Sequence, residues 1–356
     1  MRVLLMLMTL LGGSVALSRQ SPQENWKQCR SDDPERRIEG CSALIQSSQE
    51  SDINLAEALY DRGLAYRHRG NYEDAIKDFD QALRLNPSFA DAFYERGSAY
   101  SHLRNYVRAI QDYDQTIRLN PDMAKAYYGR GWTYMQLGDN DRAIRDYDQS
   151  LRINPNYVDA YYSRGLTHAH MGNYDRAIRD YDHALQNNPN YADVFITRGN
   201  AYGLKRDYDR AIQDFDQALR LNPSSADAFY NRARVYEYKG DFDHAIPDYD
   251  QAVRLKPTDA DAFFGRGFAY SHNGDYDRAI QDYDQALRIN PSYSAAFYNR
   301  SKAYVHKGDY LRAAADRGHF LGLRFGILGI TIRLCILIVA IAFAFGFRFK
   351  RFRTNS

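Results

Sequence analysis

Between residues 56 and 293, apolar and small residues fall on a helical period twice in every stretch of 34 residues. In the stretch from Ala90 to Met123, Phe93, Gly97 and Tyr100 repeat at intervals of three and four, as do Ala109, Ile110, Tyr113 and Ile117. Such intervals place side chains on one face of a helix, so each stretch predicts two helices. A short polar turn lies between them, often Gly followed by Asp or Asn, as at Gly70-Asn71, Gly138-Asp139, Gly172-Asn173, Gly240-Asp241 and Gly274-Asp275. Glycine suits the end of the first helix, and Asp or Asn the cap of the second. The second helix stops at Asn-Pro, because a residue before proline avoids helical angles. Asn-Pro recurs at Pro87, Pro121, Pro155, Pro189, Pro223 and Pro291, with Lys256-Pro257 in the remaining slot. Arg-Gly keeps the same rhythm at Gly63, Gly97, Gly131, Gly165, Gly199 and Gly267. Gly97 and Ala109 mark where the two helices of a pair cross closely.

The two ends follow other patterns. Residues 1–16 read as a signal peptide: Arg2 is the positive start, Val3 to Leu11 an apolar run, and Ser14-Val15-Ala16 a small-residue cleavage site. An uncleaved anchor is the alternative. Residues 17–55 predict N-terminal capping helices, with a turn at Asp33-Pro34 and Ile38, Cys41, Leu44 and Ile45 on one helical face. Folding back of the preceding segment, which carries Trp26 and Cys29, would bring Cys29 and Cys41 together as a disulfide. Two buried free thiols are the alternative in a reducing compartment. Near the other end, residues 321–347 predict a transmembrane helix. Its apolar stretch, Phe325 to Phe347, has 23 residues and one charge, Arg333. A helix of that length reaches ~35 Å, enough for a hydrocarbon core of ~30 Å. Arg348, Lys350, Arg351 and Arg353 in 348–356 then predict a basic cytoplasmic tail. Together the ends predict an exported protein anchored in the inner membrane, its repeats in the periplasm or outside and its C-terminus cytoplasmic. A hairpin packed on the body and an aberrant C-terminus are the alternatives for the apolar segment.

Charge narrows the partner. Lys and Arg total 47 and Asp and Glu 45, but the last forty residues hold seven of the bases and none of the acids. The body before Arg317 is therefore net acidic, which disfavours nucleic acid as a partner because phosphate contacts need positive surface. Three cysteines without a Cys-x-x-Cys motif do not suggest a metal site.

The 34-residue pattern closely resembles the tetratricopeptide repeat family. The family's aromatic, Gly, Tyr, Ala, aromatic and Pro positions appear as Phe93, Gly97, Tyr100, Ala109, Tyr113 and Pro121. They recur as Tyr161, Gly165, His168, Ala177, Tyr181 and Pro189, and as Phe263, Gly267, Tyr270, Ala279, Tyr283 and Pro291. Seven units cover 56–293 and a partial eighth covers 294–317. Departures are the Arg before each glycine, where the family has Leu, Ala233 for a glycine, and Pro247 inside a second helix, where a kink is expected. The eighth unit departs after Ala315, with Arg317 in the aromatic slot.

The resemblance implies an all-α, right-handed superhelical solenoid of antiparallel helix pairs whose concave face is lined by the first helix of each pair. On that face it places the aromatic row Tyr60, Tyr94, Tyr128, Tyr162, Tyr230, Phe264 and Tyr298. Beside it stand Asp91, Asp159, Asp193, Asp227 and Asp261, with Trp132 further along. Aromatic anchors flanked by acids suit an extended peptide with basic and apolar side chains. Packing between repeats is the other use for the tyrosines. The family's Lys/Asn/Arg clamp for a C-terminal carboxylate is missing, since the equivalent slots hold Tyr and Asp.

Other recurrent side chains read as structural. His68, His102, His170, His272 and His306 share one slot but stand a repeat apart, too far for one metal ion. Asp78 and Asp80, with their equivalents in the following units, flank the second-helix aromatic. Neighbours two apart on a helix point in different directions, so they do not form a catalytic pair. With Arg62, Arg96 and their equivalents they suggest an Arg–Asp ladder between helices. No phosphate loop, HExxH motif or activated nucleophile is present. The expected function is a non-enzymatic, membrane-tethered interaction scaffold without a cofactor. A soluble envelope protein binding a small or glycan ligand, and a regulatory subunit of an enzyme complex, are the alternatives.

Overall fold

A computed structural model of the protein describes residues 21–47 and 50–325, and every regular element in it is a helix. The expected signal peptide (1–16) and basic tail (348–356) lie outside the described residues. Two helices, α1 (Pro22–Cys29) and α2 (Pro34–Ser47), precede the repeats. The first helices of the pairs are α3 (Asp52–His68), α5 (Ala90–His102), α7 (Ala124–Gln136), α9 (Val158–His170), α11 (Ala192–Leu204), α13 (Ala226–Lys239), α15 (Ala260–His272) and α17 (Ser294–His306). The second helices are α4 (Tyr72–Leu85), α6 (Tyr106–Leu119), α8 (Asn140–Ile153), α10 (Tyr174–Asn187), α12 (Tyr208–Leu221), α14 (Phe242–Leu255), α16 (Tyr276–Ile289) and α18 (Tyr310–Phe325).

The chain falls into two compact units, one ending at Pro155 and the other beginning at Asn156. Within each unit every helix packs on the next. First helices also touch the first helices of neighbouring pairs (α3 with α5, α5 with α7, α11 with α13, α13 with α15), whereas second helices do not touch one another. Each unit therefore curves with its first helices on the inside.

Local chemistry sets the boundaries. Asp139, Asp207 and Asp275 cap their second helices by accepting from the backbone N–H three residues on. The preceding turns pass through left-handed backbone at Gly70, Gly138, Gly172, Gly240, Gly274 and Gly308, with φ of 76–80°. Arg104 and Arg206 occupy the same turn with φ of 59° and 62°, a conformation costly for a residue with a Cβ. At the other boundary the Asn of Asn-Pro has its own role. Asn86, Asn120, Asn222 and Asn290 each accept from the backbone N–H two residues later, which closes the turn over the proline. Pro247 lies inside α14, which nonetheless runs to its full length.

The ladder is present, and its rungs join up to three helices. In all eight pairs the Arg of the first helix donates from Nε and Nη2 to both oxygens of one Asp on its own second helix, as Arg96 does to Asp112 at 2.8 and 2.7 Å. For Arg96, Arg130, Arg198, Arg232, Arg266 and Arg300 the Nη1 also reaches the second helix of the preceding pair, for example Arg96 to Asp80 and Arg130 to Asp114, both at 2.5 Å. Arg62 has no preceding pair, and its Nη1 donates to Ser42 of α2 instead. This three-way bond explains Arg in the slot where the family carries Leu.

Cys29 and Cys41 form a disulfide that ties α1 to α2. At the C-terminal end the sequence expectation is corrected. Residues 321–325 complete α18, a repeat helix that starts at Tyr310 and packs on α17 with Ala313 and Ala314 buried. Asp316 in that helix is clamped by Arg300. Such a helix carries the charges of a repeat and spends its apolar face on its neighbour. Among the described residues no helix is long and apolar enough to cross a membrane, so the inner-membrane anchor and the topology built on it are withdrawn. The remainder of the expected span, 326–347, lies outside the described residues.

Candidate partner-binding groove

The inner face of each unit is built from the first helices. In both units the aromatic row is half-buried, because each ring leans on the second-helix aromatic of its own pair. The pairs Tyr60/Phe79, Tyr94/Tyr113, Tyr128/Tyr147, Tyr162/Tyr181, Tyr230/Tyr249 and Phe264/Tyr283 have centroid distances of 5.8–6.2 Å. Several also touch the next pair: Tyr60 meets Phe89, Tyr162 meets Tyr191 and Phe264 meets Tyr293. Tyr298 packs on Phe320, so Phe320 supplies the ring that Arg317 does not. One side of each ring is thus structural. Burial raises the hydroxyl pKa of Tyr94, Tyr162 and Tyr230 to about 12, so all three are neutral hydrogen-bonding groups.

The acidic row divides between the units. In the first, Asp91 is tied to Lys125 at 3.0 Å, and the Lys125 ammonium sits 4.5 Å from the centre of the Tyr94 ring. Glu95, buried on the same helix, is paired with Arg67 of α3 at 3.0 Å. Burial pushes its carboxyl pKa up, against the pull of Arg67 and Lys125. In the second unit Asp159, Asp193 and Asp227 are exposed. Asp261 is exposed as well and accepts from the Tyr293 hydroxyl at 2.6 Å. The structure thus places the predicted residues Tyr60, Asp91, Tyr94, Tyr128 and Trp132 in the first unit. Asp159, Tyr162, Asp193, Asp227, Tyr230, Asp261, Phe264 and Tyr298 belong to the second.

Three of the five recurrent histidines have a packing role. His102 stacks on Tyr72, His272 on Phe242 and His306 on Tyr276, with centroids 4.5–4.7 Å apart. Each pair joins the end of one first helix to the start of the preceding second helix.

Two features escaped the sequence reading. One is a cavity of about 190 Å³ between α5 and α7, lined by Tyr94, Ser98, Ser101, His102, Tyr113, Tyr128, Gly129 and Trp132. Its signal was the coincidence of small residues at Ser98, Ser101 and Gly129. The other is a polar cluster in the second unit, where Tyr249 donates to Glu237 at 2.8 Å and Arg234 reaches the Tyr238 hydroxyl at 2.5 Å. It has no signal in a pattern of apolar positions.

The sequence pattern of the tetratricopeptide repeat matches residues 60–124, 95–157, 130–198, 196–260, 230–294 and 264–316. The chain is a tetratricopeptide repeat protein. No curated protein matches it. Among solved structures, PilF of Pseudomonas aeruginosa is 20% identical, with a TM-score of 0.53 over 63% of this chain and 99% of that one. The Cut9–Hcn1 hetero-tetramer of the APC/C is 16% identical, with a TM-score of 0.52 over 90% of this chain and 67% of that one. YrrB, described as a TPR protein with an unusual peptide-binding site, is 25% identical over 50% of this chain and 92% of its own, with a TM-score of 0.45. As a tetratricopeptide repeat protein the chain has the fold of an interaction scaffold.

Proposed function

We propose that this chain is a non-catalytic scaffold whose first helices bind an extended segment of a protein partner that carries basic and apolar side chains. The observation that carries this reading is the row of exposed Asp159, Asp193 and Asp227 beside half-buried aromatic rings on the first helices of the second unit. Preformed helices lose little entropy on binding, half-desolvated rings supply apolar area, and carboxylates select cationic side chains. PilF and Cut9–Hcn1 share only the fold at their level of identity, so the partner chemistry rests on this chain's own residues.

The test is a peptide array of extended sequences that combine apolar residues with Lys, Arg, Asp or Glu. The wild-type chain is expected to retain the basic members, more weakly as salt rises. The D159N/D193N/D227N variant keeps its helicity and loses that retention. Equal retention by the variant, or preference for the acidic members, overturns the proposal.

A further inference from the structure

The cavity between α5 and α7 lies on the first unit and differs chemically from the acidic row of the second. At three facing positions on the first helices it has Ser98, Ser101 and, on the next repeat, Gly129. The equivalent trios elsewhere are bulkier or charged, such as Leu64, Arg67 and Glu95, or Phe268, Ser271 and Asn299. A Cβ at Gly129 would come within 2.8 Å of the Tyr113 ring, so glycine lets that ring lie against α7. The opening lies beside the small side chains of Ser98 and Ser101, and it is walled by Tyr94, Tyr128 and Trp132.

Its size and charge restrict the occupant. A cavity of ~150 Å³ is enough to hold one benzene ring. At about 190 Å³ this one has room for a ring and one further group. The nearby charges are already matched, Asp91 by Lys125 and Glu95 by Arg67. A cation or anion entering would lose its hydration without a free partner. His102 borders the opening stacked on Tyr72, and burial and Arg67 both lower its pKa, which favours the neutral ring. The serine hydroxyls leave polar groups inside, with Ser101 and Thr133 sharing a hydrogen bond at 3.2 Å.

We propose that this cavity receives one uncharged phenol-type ring, the side chain of a tyrosine on the bound partner. The proposal rests on the groove reading above and names one anchor within it. Acids at the second unit select cations, while this pocket selects a neutral aromatic ring.

The pocket can be tested without knowing the partner. The chain has two tryptophans, Trp26 and Trp132, so fluorine NMR of protein labelled with 5-fluorotryptophan contains its own control. Titration with p-cresol is expected to shift the Trp132 signal saturably and leave Trp26 in place. n-Butylammonium and propionate are expected to shift neither. Ser98→Leu, a residue already found at equivalent positions 64 and 166, is expected to weaken p-cresol binding at least tenfold. Ser101→Met, which copies Met135, fills the pocket independently and covers the case in which the first variant fails to fold. No saturable shift, an equal response to n-butylammonium, or unchanged p-cresol binding in a folded variant overturns the pocket. If the peptide array still selects basic sequences while p-cresol fails, the groove stands and only the pocket falls.

Discussion

The Arg–Asp rungs and the inner face of the first helices lie on the same helices but differ in how far the repeats agree. The rung is copied in every pair: Arg62, Arg96, Arg130, Arg164, Arg198, Arg232, Arg266 and Arg300 each grip one carboxylate through two bonds. The inner face keeps its aromatic row except at Ile196 but changes beside it, from Ser98 and Trp132 to Leu166, Arg234 and Phe268. A position copied without change answers a demand that every repeat makes, here the joining of the two helices of a pair. A position that changes answers no demand common to every repeat. Repetition within one chain thus marks positions that packing requires in every pair, without reference to any other sequence.

The strongest way to break this comparison is to remove one rung. Arg130→Ala leaves Asp146, buried between helices, without its bidentate partner and also frees Asp114. Breaking a buried pair from one side costs about 3–5 kcal/mol. Urea denaturation followed by circular dichroism should show a loss of that size, whereas Ser98→Leu on the inner face should change stability by less than about 1 kcal/mol. Similar losses from both would show that copying does not mark the structural positions.

The N-terminal cap sharpens the comparison, because its rung is incomplete. Arg62 finds the Ser42 hydroxyl where later arginines find a carboxylate, and the disulfide Cys29–Cys41 holds the cap together. Closing a loop of this length in the unfolded chain is worth roughly 3 kcal/mol. Replacing both cysteines with serine should release α1 and α2 first. Hydrogen exchange would show lost protection in residues 22–47 while the later repeats keep theirs. Uniform loss of protection would mean that the rungs transmit the cap's stability along the whole first unit.

A smaller test concerns positions that change for no evident gain. Arg104 and Arg206 hold left-handed turns that glycine holds in six other places. Arg104→Gly should stabilise the protein by about 1 kcal/mol, and Arg206→Gly by a similar amount, read as higher thermal midpoints. A drop instead would indicate that the arginine side chain makes up for the backbone strain.

How much of this was legible in the sequence follows from the range of each interaction. Helix pairs, turns and the ladder repeat every 34 residues, so their spacing alone locates them. The disulfide was legible because a single turn separates the two cysteines. The stacking of His102 on Tyr72 was not, since it depends on how the end of one helix meets the start of another. The pocket was missed because it lies beside small side chains, and small residues draw attention only once the walls are known. The division of the acidic row had the same cause: Asp91 looks like Asp193 in sequence, and only the fold brings Lys125 to one of them. At the C-terminal end, hydropathy counted residues 321–325 with the apolar segment, although they finish a helix already committed to the last repeat.

The smallest expected effect lies on the changing face of the second unit. Glu237 accepts from Tyr249, and burial raises its carboxyl pKa more than that bond and Arg234 lower it. The native chain therefore takes up this proton at a higher pH than the unfolded chain, whose glutamates titrate near ~4.3. Where the native state binds more protons, stability falls as pH rises through the interval between the two values. At neutral pH the charged Glu237 is a cost, which fades as pH drops toward the unfolded value. Glu237→Gln keeps the shape and an acceptor for Tyr249 but carries no charge to desolvate. It should be slightly more stable than wild type at pH 7, with the advantage shrinking toward pH 4 in denaturation series at both values. An advantage that grows on acidification would instead mean that the carboxylate is held there by its partners, and that Arg234 and Glu237 act as a structural ion pair like the rungs outside the groove.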